Sequence, residues 1–258
     1  MLSTTLSPSS QLPSRLALIT GAARGLGRGI AETLADQGFQ IAIADITAEK
    51  DASEAIHALR AKEKFAGYHQ IDVSDEPAVR RLFADLDADG RVIDVLVNNA
   101  GTSRPQTIRD TTLNDWNDLL RINLTSAFLC SKEAFARMEQ RRGGCIVNIS
   151  SVAAERGALL GHAHYSASKA GLLGLTRTLA RTGAPVGIRV NAVAPGIIDT
   201  ELLRTVHSAE EISNIATSVP LGIGNPRDVG LAVAFLCGEG GRYITGAVLD
   251  VNGGAHIH

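Results

Sequence analysis

The sequence predicts an α/β fold: one domain built on a doubly wound, Rossmann-type parallel sheet. Three observations carry this. Short apolar runs alternate with helical periodicities along the chain, the pattern of successive βαβ units. The apolar runs are nearly continuous, as in strands covered by helices on both faces. The first run leads at once into Thr20-Gly21-Ala22-Ala23-Arg24-Gly25-Leu26-Gly27, which opens a helix. A glycine-rich strand-to-helix turn is where such folds bind dinucleotides.

The elements follow in order. Residues 1–14 are rich in Ser, Thr, Leu and Pro and read as a mobile tail before a domain spanning 15–258. Residues 15–20 are the first strand. Residues 25–36 form a helix, with Leu26, Ile30 and Leu34 on one stripe. Strands are predicted at 40–44 and 67–71, with a helix at 48–61 between them. A helix over 77–86 has Pro77 in its first turn. Residues 92–98 are an apolar strand. A long helical stretch covers 111–141, with a bend near Asn123. A strand at 145–150, a helix at 165–182 and a strand at 188–194 come next. The segment 199–219 is mixed and helical, 225–237 is a helix opened by Pro226, and 247–251 is the last strand.

The bulk properties exclude several classes. The chain has 258 residues, 45% of them hydrophobic, enough for one sizeable core. A net charge of −2 provides no basic field for nucleic acid. No apolar run approaches the ~20 residues that span a bilayer. Cys130, Cys145 and Cys237 are far apart in sequence, form no metal-ligand cluster and sit in apolar contexts. They read as buried structural thiols in a reducing cytoplasm. His162 and His164 are close together, but no carboxylate or cysteine has matching spacing, so no metal site is predicted.

The glycine turn defines a cofactor cluster. Gly21, Gly25 and Gly27 permit the tight turn and a close backbone approach to a pyrophosphate, with Leu26 at the helix start. Asp45 follows the second strand, where a carboxylate accepts the adenosine ribose hydroxyls and repels a 2′-phosphate. That favours NAD over NADP. Arg24 pulls weakly the other way. Asp72 and Val73 follow the third strand, where a carboxylate can accept from the adenine amino group. Asn99, Ala100 and Gly101 close the fourth strand and let the cofactor lie across the sheet end.

Tyr165 and Lys169 are four residues apart on one helix face. A free phenol titrates near pH ~10, and a neighbouring ammonium favours its ionised form. This pairing makes a tunable proton donor suited to acid/base catalysis.

With the glycine turn, Asn98-Asn99-Ala100-Gly101 and Tyr-x-x-x-Lys in this order, the chain resembles the short-chain dehydrogenase/reductase family over roughly 15–254. The resemblance implies that Tyr165 is the general acid/base and that Lys169 lowers its pKa and holds the nicotinamide ribose. It implies that Ser151 binds the substrate oxygen and that Asn123 holds a water linking Lys169 to solvent. Pro195, Gly196, Ile198 and Thr200 match the family's nicotinamide-side loop, and a homotetramer is the usual assembly. Ser150 is adjacent, so the choice of Ser151 rests on its place fourteen residues before Tyr165. The family spacing is often one shorter, which implies a longer loop. Thr182 and Gly183 also depart from the family's usual carboxylate and apolar residue.

Ser103, Arg104, Ala153, Ala154, Glu155, His162, His164, Leu202, Leu203 and His207 are candidates to shape the substrate pocket. The activity expected is NAD-linked interconversion of a small secondary alcohol, sugar or polyol and its ketone. A 3-oxoacyl-thioester reductase using NADPH, with Arg24, Arg104 and Arg109 serving a carrier protein, is the alternative. A nucleotide sensor without turnover is the alternative of another class.

Overall fold

A computed structural model describes residues 15–158, 162–206 and 208–257. The expected tail and His207 lie outside the described residues. Seven strands form one parallel sheet: β1 (Leu16–Thr20), β2 (Gln40–Asp45), β3 (Phe65–Gln70), β4 (Ile93–Asn98), β5 (Gly144–Ile149), β6 (Ile188–Pro195) and β7 (Val248–Val251). Their spatial order is β3-β2-β1-β4-β5-β6-β7. The order reverses between β1 and β4, and ligands of such sheets bind beyond the strand ends at that switch.

The helices are α1 (Gly25–Asp36), α2 (Ser53–Ala61), α3 (Glu76–Ala88), α4 (Leu113–Leu120), α5 (Ser126–Arg141), α6 (Ala153–Arg156), α7 (Ala163–Gly183), α8 (Glu201–Val206), α9 (Ala209–Ser218) and α10 (Pro226–Cys237). Strand side chains alternate between two cores. Ala17, Ile19, Ile41, Ile43, Val95 and Val97 pack under α1, α2 and α10. Leu16, Leu18, Ala42, Leu96 and Ile146 pack under α3, α5 and α7. Both strand faces are therefore apolar, which explains the continuous runs.

Three predicted elements differ from expectation. The helix expected over 48–61 is a 3-10 turn at Glu49–Ala52 followed by α2. β3 begins two residues early and ends before Ile71. It is an edge strand whose residues are half-buried, so its apolar pattern is weak. The predicted helix over 111–141 is three pieces: α4, a π-helical turn at Arg121–Thr125, and α5. The N-terminus of α4 is set by a capping box in which Thr112 and Asp115 satisfy each other's backbone N–H.

Candidate active site

The glycine turn is held from below by β4. Asn99 Nδ2 donates to the carbonyls of Thr20 (2.9 Å) and Gly21 (2.8 Å). The Thr20 hydroxyl accepts the backbone N–H groups of Asn99 and Ala100. Gly21 adopts φ +66°, and a Cβ at Gly27 would run into Gly21 O and Asn99 Nδ2. These two glycines thus serve the close packing of turn against strand. Gly25 is different: at φ +55°, a Cβ there would meet only Thr200, at 3.9 Å. The start of α1 has no side-chain cap and no acidic residue in its first turn, and Arg24 at its N-cap is exposed. An uncapped, acid-free helix start between Gly25 and Thr200 fits a dinucleotide pyrophosphate.

Asp45 is the last residue of β2 and only 8% exposed. Its carboxylate accepts Ala23 N–H at 2.9 Å and Thr47 N–H at 2.9 Å. It therefore also ties the glycine turn to β2, a role the sequence did not disclose. Two bonds leave lone pairs for a ligand, because a carboxylate offers about four acceptor sites.

Asp72 has partners of its own within the protein. It accepts Ser74 N–H and hydroxyl, and pairs with Arg121 at 3.3 Å. Burial opposes its charge, but the Ser74 bonds and the Arg121 guanidinium carry its carboxyl below the usual range. Its partners are those of a turn staple, and Val73 packs into the core.

Asn123, Ser151, Tyr165 and Lys169 converge. Ser151 lies two residues beyond β5, and its hydroxyl accepts Ala153 N–H at 3.1 Å and hydrogen-bonds Tyr165. Ser150 is instead committed to the Lys169 carbonyl at 2.9 Å. The serine beside the phenol is thus Ser151. Lys169 Nζ lies 5.9 Å from the Tyr165 ring centroid and donates to Ile149 O at 2.8 Å. Asn123 sits in the π-turn, 1% exposed. Its amide exchanges hydrogen bonds with the backbone of Thr102 and donates to Ser168 Oγ at 3.1 Å. A Cβ on Gly101 would stand 3.2 Å from Asn123 Oδ1 and 3.4 Å from Lys169 Nζ, so these groups meet over Gly101.

The expected pKa order is reversed in this arrangement. Burial pushes the Tyr165 phenol above its ordinary value, and the Ser151 hydrogen bond only partly offsets this. Lys169, itself buried, is lowered to about 8 by loss of water. At that value Lys169 has lost its proton before the raised phenol ionises, so it offers the phenolate no positive charge.

The nicotinamide-side loop follows β6. The Pro195 carbonyl accepts Val152 N–H, tying the loop to the Ser151 segment. Gly196 N–H donates to Val251 O. Ile198 is buried and bridges Gly224. Thr200 accepts Leu203 N–H and faces Gly25.

The mouth contains one pairing that sequence reasoning missed. Ser103 Oγ and His162 Nδ1 are 3.1 Å apart. His162 is held in the left-handed region, φ +66°, by its N–H bond to Gln106 O. Its ring stands edge-on to Tyr165, centroids 6.5 Å apart. The residues are 59 apart, so no local pattern could reveal them. His164, by contrast, is fully buried and meets the Gln106 side chain at 3.1 Å. Arg104 stands 3.9 Å from both Asp115 and Asp118. Glu155 is half-buried on α6, and Ala153 is buried.

The family model described as enoyl-(acyl carrier protein) reductase matches residues 21–256. The 3-oxoacyl-[acyl-carrier-protein] reductase FabG of Salmonella typhimurium is 38% identical over 94% of this chain and 98% of that protein. FabG of Aquifex aeolicus is 39% identical over 95% and 98%. A structure from Agrobacterium tumefaciens, described provisionally as a gluconate dehydrogenase, aligns with TM-score 0.88 and 33% identity over 93% of this chain and 95% of that one. The chain belongs to the short-chain dehydrogenase/reductase family. It is an oxidoreductase acting on CH–OH groups with NAD(P). Among the described residues of this dehydrogenase/reductase, no helix is long and apolar enough to cross a membrane.

Proposed function

We propose that this dehydrogenase/reductase interconverts a small polar secondary alcohol and its ketone, using NAD(H) in preference to NADP(H), in the cytoplasm. The observation that carries the cofactor preference is Asp45: a near-buried carboxylate at the end of β2, fastened to the glycine turn it would share with the adenosine ribose. A 2′-phosphate there would meet a like charge at close range.

Bound nicotinamide supplies or accepts the hydride. The chain supplies the rest. Gly25, Leu26 and Thr200 hold the pyrophosphate and carboxamide ends, and Asp45 holds the ribose. Ser151 positions the substrate oxygen, steadied by its bond from Ala153 N–H. Tyr165 gives that oxygen its proton in reduction and takes it back in oxidation. Lys169 lies between the phenol and the Asn123 turn and holds the ribose. The Ser103–His162 pair reads a second oxygen on the substrate.

The alternative, a 3-oxoacyl-thioester reductase using NADPH, is favoured by the FabG relatives. Against a carrier-protein surface stands the pairing of several basic side chains, Arg104 among them, although Arg24 and Arg109 are exposed. Arg104 faces Asp115 and Asp118, Arg121 faces Asp72, and Arg204 faces Asp199.

The test is a turnover screen of polyols, sugars, simple alcohols and 3-hydroxyacyl thioesters with each cofactor. NAD-linked turnover of a polyol or alcohol is expected. Turnover confined to thioesters with NADP would overturn this reading in favour of the reductase. Asp45→Asn should narrow the NAD/NADP ratio by about tenfold, equivalent to ~1.4 kcal/mol. An unchanged ratio removes Asp45 from the ribose site.

A further inference from the structure

Far from Tyr165, at the amino ends of the strands, two cysteines meet. Cys145 is the second residue of β5 and Cys237 the last of α10. They are 92 residues apart in sequence, yet their Sγ atoms are 3.8 Å apart. Both are almost fully buried, in the core shared by β5 and α10. A disulfide needs about 2.05 Å between sulfurs, so each has to move roughly 1 Å, within reach of a small χ1 rotation.

The geometry points to a modification site: Cys145 and Cys237 form a reversible disulfide on exposure to peroxide. This inference is independent of the substrate proposed above.

The surroundings suit the chemistry. Two guanidinium groups converge on the pair. Arg15 donates to Cys237 O at 3.0 Å, while Arg189 donates to Cys237 O at 3.3 Å and to Gly241 O at 2.7 Å. The contact with Cys237 holds the Cys145 thiol below its ordinary value against burial, and Arg189 and Arg15 add to this. Cys237 is correspondingly held above its ordinary value. One sulfur of the pair is therefore the nucleophile and the other the resolving thiol. The pair also lies close to the surface: Arg15 is exposed, and half-buried Gly238 and exposed Glu239 follow Cys237.

The step balances. The Cys145 sulfur attacks one peroxide oxygen, the O–O bond breaks, and water leaves with the thiol proton. The Cys237 sulfur then displaces a second water from the sulfenic sulfur, and the S–S bond forms. Two thiols lose two electrons and two protons, and one hydrogen peroxide becomes two waters. The cross-link fastens the end of α10 to β5, and α10 packs along α1, with Pro226 against Gly29 and Gly230 against Thr33.

Cys130 provides an internal control. It is buried in the opposite core, and burial pushes its thiol up to about 12. The full-length protein is treated with hydrogen peroxide, then unfolded and alkylated, and its peptides are mapped without reductant. Cys145 and Cys237 are expected to lose alkylation together, to appear in one cross-linked peptide lighter by two hydrogens, and to recover with dithiothreitol. Cys130 remains alkylatable. Cys237→Ser should abolish the cross-link and leave Cys145 as sulfenic or higher acid. Full alkylation of both thiols after peroxide treatment overturns the inference. So does separate oxidation of either to sulfinic acid without a cross-linked peptide.

Discussion

At the scale of single residues, chemistry here depends on how burial sets two proton affinities. Tyr165 is held protonated at neutral pH because burial raises its phenol. A protonated phenol is the form that donates, so ketone reduction proceeds at neutral pH while alcohol oxidation needs the ionised form. The oxidation rate should therefore climb with pH beyond neutrality while reduction falls. Rate profiles of the two directions measure this, and parallel profiles would show that the phenol is not the titrating group. Tyr165→Phe should abolish turnover in both directions and leave cofactor binding intact, as read by fluorescence titration. Lys169 gives a stability prediction. Burial lowers its ammonium from 10.5 to about 8, so between those values the unfolded chain binds more protons than the folded one. Stability then rises with pH across that window, because below it the folded state carries a buried charge. The unfolding free energy of the wild type relative to Lys169→Met should gain up to about 3 kcal/mol from pH 8 to 10.5, at ~1.4 kcal/mol per unit. A flat difference in denaturant titrations would mean that Lys169 is not desolvated.

At the scale of elements, the π-turn at Arg121–Thr125 is the feature on which the site depends most. Such turns interrupt a helix ladder and recur at functional sites. Here the interruption is held by Asn123, which satisfies both backbone groups of Thr102 and the Ser168 hydroxyl. Asn123→Leu keeps the volume and removes all three bonds, at about 1–3 kcal/mol for each buried group left unpaired. Thermal unfolding should show a loss of several degrees, with turnover falling in parallel. A variant of normal stability and activity would deny the turn this anchor. Much of this was legible beforehand. The bend near Asn123 was expected within the long helical stretch, and the predicted bounds of α1 coincide with the observed Gly25–Asp36. What was not legible is non-local. The choice between Ser150 and Ser151 depends on which hydroxyl meets the Tyr165 phenol and which the Lys169 carbonyl. The anchoring of the glycine turn by Asp45 and Asn99 joins three strand ends. The left-handed His162 follows a bond to Gln106, 56 residues away. Periodicity reports the face a side chain takes; it carries no information about partners so distant.

At the scale of the whole molecule, one flank is incomplete as a surface. The edge strand β7 is half-buried throughout, and a sheet edge left open is a template for pairing. Beside it, α10 turns outward Leu231 (44% exposed) and Phe235 (47%), four residues apart and so on one face. Tyr243 follows at 95% exposure. On the other side of the sheet, Phe128 of α5 is 48% exposed. Apolar groups grouped on two separate faces favour association through both, and two distinct twofold contacts generate a tetramer with dihedral symmetry. We propose a homotetramer, the assembly the family resemblance implies, with the α10–β7 flank forming one of its two interfaces. Sedimentation equilibrium at micromolar concentration should return four chains. Leu231→Glu together with Phe235→Glu should reduce this to dimers, because burying two carboxylates at a twofold contact sets like charges against each other without partners. The dimer should remain folded by circular dichroism, since both side chains point away from the core their helix covers. A monomeric wild type would remove the premise that these faces are covered, and an unaltered tetramer in the double variant would move the interface away from α10.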